Sequence, residues 1–133
     1  SPDIIHCNDW MTSLIPLYAK TTYKNDPIFK GAKTVFTIHN NKFTHKFGED
    51  LLDKVKMLDI DDSMLDQLKT ADYEGFIKMG MQFADSVIYA NEESTESFKK
   101  LVSELSGETK VDTIESKENF EESYYNLYND LIG

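Results

Sequence analysis

Thr34-Val35-Phe36-Thr37-Ile38 is an unbroken run of β-branched and aromatic residues, the composition of a strand buried on both faces of a parallel sheet. It is the strongest strand signal in the chain, and it ends at His39-Asn40-Asn41, where short amide side chains favour a turn. On its amino-terminal side, Asp3-Ile4-Ile5-His6-Cys7 reads as a second buried strand that ends at the turn pair Asn8-Asp9. On its carboxyl-terminal side, Ser86-Val87-Ile88-Tyr89-Ala90 is a third strand and residues 110–114 are a marginal fourth.

Helical patterns fall between these runs. After the first strand, Leu14, Ile15, Leu17, Tyr18 and Ala19 form an apolar stripe toward Tyr23, with Asp9 or Thr12 as candidate N-cap. Pro16 restricts that helix to a start near Met11 or later, because proline is tolerated only in the first turn. Asn25-Asp26-Pro27 and Gly31 mark a loop. Residues 42–72 are charged, with two weakly amphipathic stretches carrying Leu51, Leu52, Val55 and Met57, then Met64, Leu65 and Leu68. They read as short helices in an insertion.

Tyr73, Phe76, Ile77, Gly80, Phe83 and Ala84 recur at helical spacing, so residues 73–84 are expected to form a core-facing helix in which Gly80 permits close approach to the sheet. Asn91 or Ser94 is expected to cap the next helix, whose Phe98, Leu101, Val102 and Leu105 share a face before Gly107 stops it. Phe120, Tyr124, Leu127, Tyr128 and Leu131 form the stripe of a last helix, with Glu118, Glu121 and Glu122 at its positive end. Strand and helix alternate with linkers long enough for right-handed crossovers, which selects a parallel α/β sheet.

The whole chain, 133 residues with 40% hydrophobic content, is the size of one domain with a real core. Its opening, Ser1-Pro2-Asp3, has no initiator Met or signal-like run, which reads as an excised or processed piece. A net charge of -10 without a Lys/Arg cluster argues against nucleic acid and anionic membrane as partners. Cys7 stands alone, which excludes an internal disulfide and suits a reducing compartment, with the cytoplasm as the default. Unpaired strand edges are a route to self-association.

In parallel sheets ligands bind beyond the carboxyl ends of the strands. Three polar clusters are expected there: His6-Cys7-Asn8-Asp9, Thr37-Ile38-His39-Asn40-Asn41 and Asn91-Glu92-Glu93. Imidazole and amide groups both donate and accept, which suits a neutral, hydroxyl-rich ligand, and Trp10 or Phe43 offers an aromatic face to a sugar ring. Each has a plainer explanation. His6 is equally well a buried strand-end histidine, Asp9 a helix cap, the asparagines turn residues, and Trp10 and Phe43 core or lid packing. His6, His39, His45 and Cys7 lack HxxxH or CxxC spacing, so no metal site is expected, and GxGxxG and P-loop patterns are absent. Asp59, Asp61 and Asp62 read as a solvated loop.

Pro2-Asp3-Ile4-Ile5-His6-Cys7-Asn8-Asp9-Trp10 resembles the PDVVHxHDW segment of bacterial glycogen and plant starch synthases. Leu14-Ile15-Pro16-Leu17-Tyr18 resembles the helix that follows in that family, and Val35-Phe36-Thr37-Ile38-His39-Asn40 matches its VFTIHN strand. Residues 78–87 resemble its K-x-G-x-x-x-A-D-x-V stretch, so the resemblance extends over about residues 2–95. It implies a three-layer Rossmann-like fold, part of the amino-terminal domain of a GT-B glycosyltransferase. The chain is then one partial domain over 1–133, with a helical insertion at about 42–72 and a terminal docking helix at about 117–132.

The same resemblance implies an enzyme that transfers glucose from ADP-glucose or UDP-glucose to an α-1,4-glucan with retention of configuration, so nucleotide sugar and α-glucan are the expected partners. No cofactor beyond that donor is implied. The family's second histidine of HxHDW, beside the transferred glucose, is Asn8 here. An amide hydrogen-bonds a hydroxyl but never becomes a cation, so no residue is assigned as catalytic. Asp9, Trp10, His39 and Asn40 match the pattern and are expected to shape the crevice and its acceptor side, with His6 and Asn8 as further candidate substrate-binding residues.

In the family a Lys-Thr-Gly-Gly loop precedes this segment and a second domain that grips the donor follows it. These 133 residues are therefore expected to be inactive alone. A noncatalytic glucan-binding or partner-binding module is the alternative. A flavodoxin-like regulator is a weaker third reading that no phosphate loop supports. The last helix is expected to cover sheet surface that the second domain's returning helix covers in longer relatives.

Overall fold

A computed structural model describes residues 1–90, 95–114 and 119–133. Four strands, β1 (Ile4–Asn8), β2 (Lys33–Ile38), β3 (Ser86–Ala90) and β4 (Val111–Ile114), form one sheet in the order β1-β2-β3-β4. All three pairings are parallel, with Asn8 opposite Thr37 and Ile38 opposite Tyr89. The carboxyl tips of the first two strands therefore lie side by side at one rim.

Because strand side chains alternate between faces, each strand supplies two cores. Cys7, Phe36, Ile38, Val87 and Tyr89 project to one face, where they meet Tyr73, Ile77 and Met81 of α3 (Tyr73–Phe83) and Phe98 and Val102 of α4 (Glu96–Ser106). Val35 and Ile88, with Ile114 and Ile4, project to the other face. There they meet Tyr124, Leu127, Tyr128 and Leu131 of α5 (Phe120–Ile132). The result is a helix–sheet–helix sandwich of α/β class.

Gly80 allows α3 its close approach, since a Cβ at that position would overlap the ring of fully buried Phe36. Asp85, at the amino-terminal rim, ties the strands together. Its carboxylate accepts from the Thr34 backbone N–H at 2.8 Å and the Thr34 hydroxyl at 3.1 Å, and pairs with Lys20 at 2.9 Å. Burial alone would raise the Asp85 pKa, but the Thr34 N–H and the Lys20 ammonium outweigh it and hold the carboxyl below its ordinary value.

Local details depart from the sequence expectations. Asp9 caps a 3-10 turn, Trp10–Thr12, and not the following helix α1 (Ile15–Lys20), which starts without a side-chain cap and carries Pro16 in its first turn. That helix stops at Lys20, before Tyr23. Of the two stretches in residues 42–72, the first is the short helix α2 (Leu51–Val55), whereas Asp62–Thr70 is 3-10. Its buried Leu65 and Leu68 stand three residues apart, the spacing a three-residue turn superimposes. Together with Val55 and Ile60 they fill a core against Leu17, Phe76 and Met79. The cap of α4 is Thr95, whose hydroxyl accepts from the Phe98 N–H at 3.3 Å. Asn91 and Ser94, proposed for that role, lie outside the described residues, as do Glu92, Glu93 and Glu118.

Among the described residues no helix is long and apolar enough to cross a membrane.

Candidate functional site

The site begins where the β1 and β2 backbones end. Asp9 adopts φ 69° and ψ 171°, a region that residues with a Cβ rarely occupy and that costs on the order of 1–3 kcal/mol. Five hydrogen bonds hold it there, one of them from the Thr12 hydroxyl to the Asp9 carbonyl at 3.0 Å. Its N–H donates to the Thr37 carbonyl at 2.9 Å and its carbonyl accepts from Thr12 N–H at 3.1 Å. Its carboxylate accepts from Trp10 N–H and from the Asn41 side-chain amide, both at 2.7 Å. Asp9 is 8% exposed. Its role is to buckle the chain and to staple the two strand tips together.

The buckle sends neighbouring side chains in different directions. Trp10 turns into an aromatic cluster, 4.5 Å from the Phe43 ring centre and 5.6 Å from that of Phe76. Asn8 is directed to a groove of about 850 Å³ that it lines with His6, His39 and Asn40. Of the six residues expected at the site, four therefore share the groove and two, Asp9 and Trp10, stand behind it as support. Phe43 packs with Trp10, Phe47 and Tyr73 in the same aromatic cluster.

His6 forms the floor. Its Nδ1 is hydrogen-bonded to the Tyr128 hydroxyl and its Nε2 to the Thr37 hydroxyl at 2.6 Å. Burial, and then the nearby His39, lower its pKa from the ordinary 6.5, so the ring is neutral at physiological pH. A neutral imidazole donates through one nitrogen and accepts through the other, which two hydroxyls satisfy completely. His6 is thus a positioned neutral ring and not an acid.

His39 donates from Nε2 to Asn8 Oδ1 at 3.1 Å, because an amide oxygen only accepts. The Asn8 amide is left with its N–H groups to offer a ligand. The His39 carbonyl is fixed in turn by the Tyr73 hydroxyl at 3.1 Å, a phenol whose pKa burial, and secondarily Asp9, raise well above the ordinary 10. Cys7 points to the opposite face, 1% exposed, and burial pushes its thiol up to about 11, which keeps it unreactive.

The opposite wall comes from α5, through Phe120, Glu121, Tyr124, Tyr125 and Tyr128. Periodicity marked the apolar stripe of this helix, but only the fold shows that its first turns overhang the strand tips. Among the described residues no group of three His, Cys, Asp or Glu side chains converges to hold a metal ion. Chemically, the groove can hydrogen-bond hydroxyls and cover apolar ring faces.

The family model for the starch synthase catalytic domain matches residues 1–106. A glycogen synthase of Lachnospira eligens is 36% identical over 98 residues, covering 74% of this chain and 20% of that protein. Glycogen synthases of Desulforudis audaxviator and Thermotoga maritima are 38% identical over 104 residues and 39% over 102, each covering 73% of this chain. The chain spans about one fifth of the length of these curated relatives.

The structure gives physical reasons for the shared letters. Asp9 staples the strand tips, Gly80 admits the Phe36 ring, and Asp85 holds β2 to β3. With a catalytic-domain match over most of its length and the family's strand tips joined at one rim, this chain belongs to the glycogen and starch synthase family, as a segment of it.

Proposed function

We propose that this chain forms the amino-terminal half of the active-site crevice in a glycogen- or starch-synthase-type glucosyltransferase of GT-B architecture. Four of its side chains, His6, Asn8, His39 and Asn40, bind the hydroxyl groups of a sugar. The observation that supports this most directly is their convergence in one groove at the carboxyl rim of the sheet. Glucose transfer from a nucleotide sugar to an α-glucan then needs the glycine-rich lysine loop and the second domain found in the family. The 133 residues alone bind sugar without turning over. The open backbone of β1, at one edge of the sheet, is a surface for self-association, which gel filtration tests.

A second reading, a noncatalytic glucan-binding module, draws on one specific position. Asn8 stands where the family has a histidine, and its amide is bonded to His39 instead of supplying a cation. Titration of the chain with maltooligosaccharides and ADP-glucose, followed by incubation with both, separates the two. Binding of both ligands without ADP release supports the half-crevice; glucan binding alone supports the module. Binding of neither refutes both, and ADP release refutes the claim that the segment is inactive by itself.

A further inference from the structure

The α5 wall is not accounted for by the family match, which ends at residue 106. Four of the helix's side chains, Tyr124, Leu127, Tyr128 and Leu131, pack half-buried against the sheet, but Phe120 and Tyr125 do not. They remain 40% and 66% exposed, with their rings along the groove across from Asn8, His39 and Asn40. Aromatic surface left open beside hydrogen-bonding groups is the arrangement that receives a ligand with an apolar face and polar edges.

The charge of the groove narrows the ligand class. Among the described residues that line it none is basic, and Glu121 is acidic. The amino end of α5 is positive by its dipole, but Glu121 and Glu122 in its first turn oppose that field, and the chain as a whole carries -10. Among the described lining residues a nucleoside diphosphate finds no basic partner. A neutral polyhydroxylated chain loses nothing.

Building on the crevice reading above, we propose that α5 makes this groove favour the acceptor glucan over the nucleotide sugar. Pyranose faces stack on Tyr125 and Phe120, and the hydroxyls along their edges bond to Asn8, His39 and Asn40. Residues outside the family match thereby give this chain a glucan subsite of its own.

Calorimetric titration of the 133-residue chain with maltoheptaose, and separately with ADP-glucose, tests the assignment. Maltoheptaose is expected to bind with little dependence on salt, because no ion pair forms. Tyr125→Ala is expected to weaken it roughly tenfold, the effect of losing one aromatic contact. Tyr125→Phe keeps the ring and is expected to stay within about twofold of the parent. Tyr125 is mostly solvent-facing, so circular dichroism is expected to show both variants folded.

Unchanged maltoheptaose affinity in a folded Tyr125→Ala protein overturns the proposal, as does ADP-glucose competing for the groove more tightly than maltoheptaose. His39→Ala tells the two claims apart. If it abolishes binding while Tyr125→Ala does not, the crevice stands and the α5 subsite falls; the reverse result keeps the subsite and removes the strand tips. No maltoheptaose binding by the parent chain defeats both.

Discussion

Replacing Gly80 by Ala probes the closest contact between α3 and the sheet. An ideal Cβ there sits 2.6 Å from two carbons of the Phe36 ring and nearer still to a third, whereas carbon atoms rest at about 3.5–4.0 Å. Phe36 is 0% exposed, so its ring has no solvent to swing into and must displace Ile77 or Val87, its neighbours in the same core. Overpacking of this kind costs about 1–3 kcal/mol, and a required shift near 1 Å in a filled layer puts it at the upper end. Alanine returns about 1 kcal/mol through helix propensity.

The net expectation is a loss of about 2 kcal/mol, read as a fall in Tm of roughly 6–10 °C for a domain of this size. Urea unfolding of Gly80→Ala, Phe36→Leu and the double variant isolates the cause. With the ring removed the alanine should become neutral or favourable, giving a coupling energy of about 2 kcal/mol or more. A single variant as stable as the parent, or strictly additive effects, would refute the close-contact reasoning.

Other expectations follow from the two rims of the sheet. Asp85→Ala should destabilise by about 2–3 kcal/mol in urea, since it leaves the Thr34 N–H without its acceptor and Lys20 without its partner. A change under about 0.5 kcal/mol would show the clamp to be idle. Because folding lowers the Asp85 pKa, its contribution is present above 3.8 and is lost as pH falls below that value. His6, also lowered on folding, adds an acid-side loss of the same sign that begins just below 6.5, and both windows should appear in a pH series of unfolding midpoints. At Asp9, glycine should be tolerated better than alanine by about 1 kcal/mol, since both lose the carboxylate but only glycine relaxes the positive φ; equal losses would remove strain from the account. The Cys7 thiol should resist disulfide reagents at pH 8 until the chain unfolds, and rapid labelling of native protein would contradict its burial.

The strands were legible because each is a short β-branched run ended by amide or acidic turn residues, and a buried parallel sheet requires that composition. The helix over 73–83 was legible from its period, with Gly80 readable as a contact point. Position within the 3-10 segment was less so: Leu65 and Leu68 satisfy both three-residue and α-helical spacing, and only the packed core separates them. The cap of α4 shifted to Thr95 because several residues of capping chemistry stand in a row ahead of it.

At the site, His6, Asn8, His39 and Asn40 were readable as strand tips. Core packing of Trp10 was readable too, and the structure bears it out, but its cause, a strained backbone at Asp9, is announced by no residue pattern. Nor was the bond from His6 to Tyr128 readable, between groups 122 positions apart in sequence.

The succession β1-β2-β3-β4 also has a consequence for synthesis. Each strand pairs with the one made just before it, so a nascent chain leaving the ribosome can lay the sheet down in order, without waiting for a distant partner. Among the described elements helix α5 follows all four strands, and it is the one that packs on the face bearing Val35, Ile88 and the His6 ring. Between the synthesis of β4 and that of α5, this apolar face is the surface through which the nascent sheet is most prone to associate.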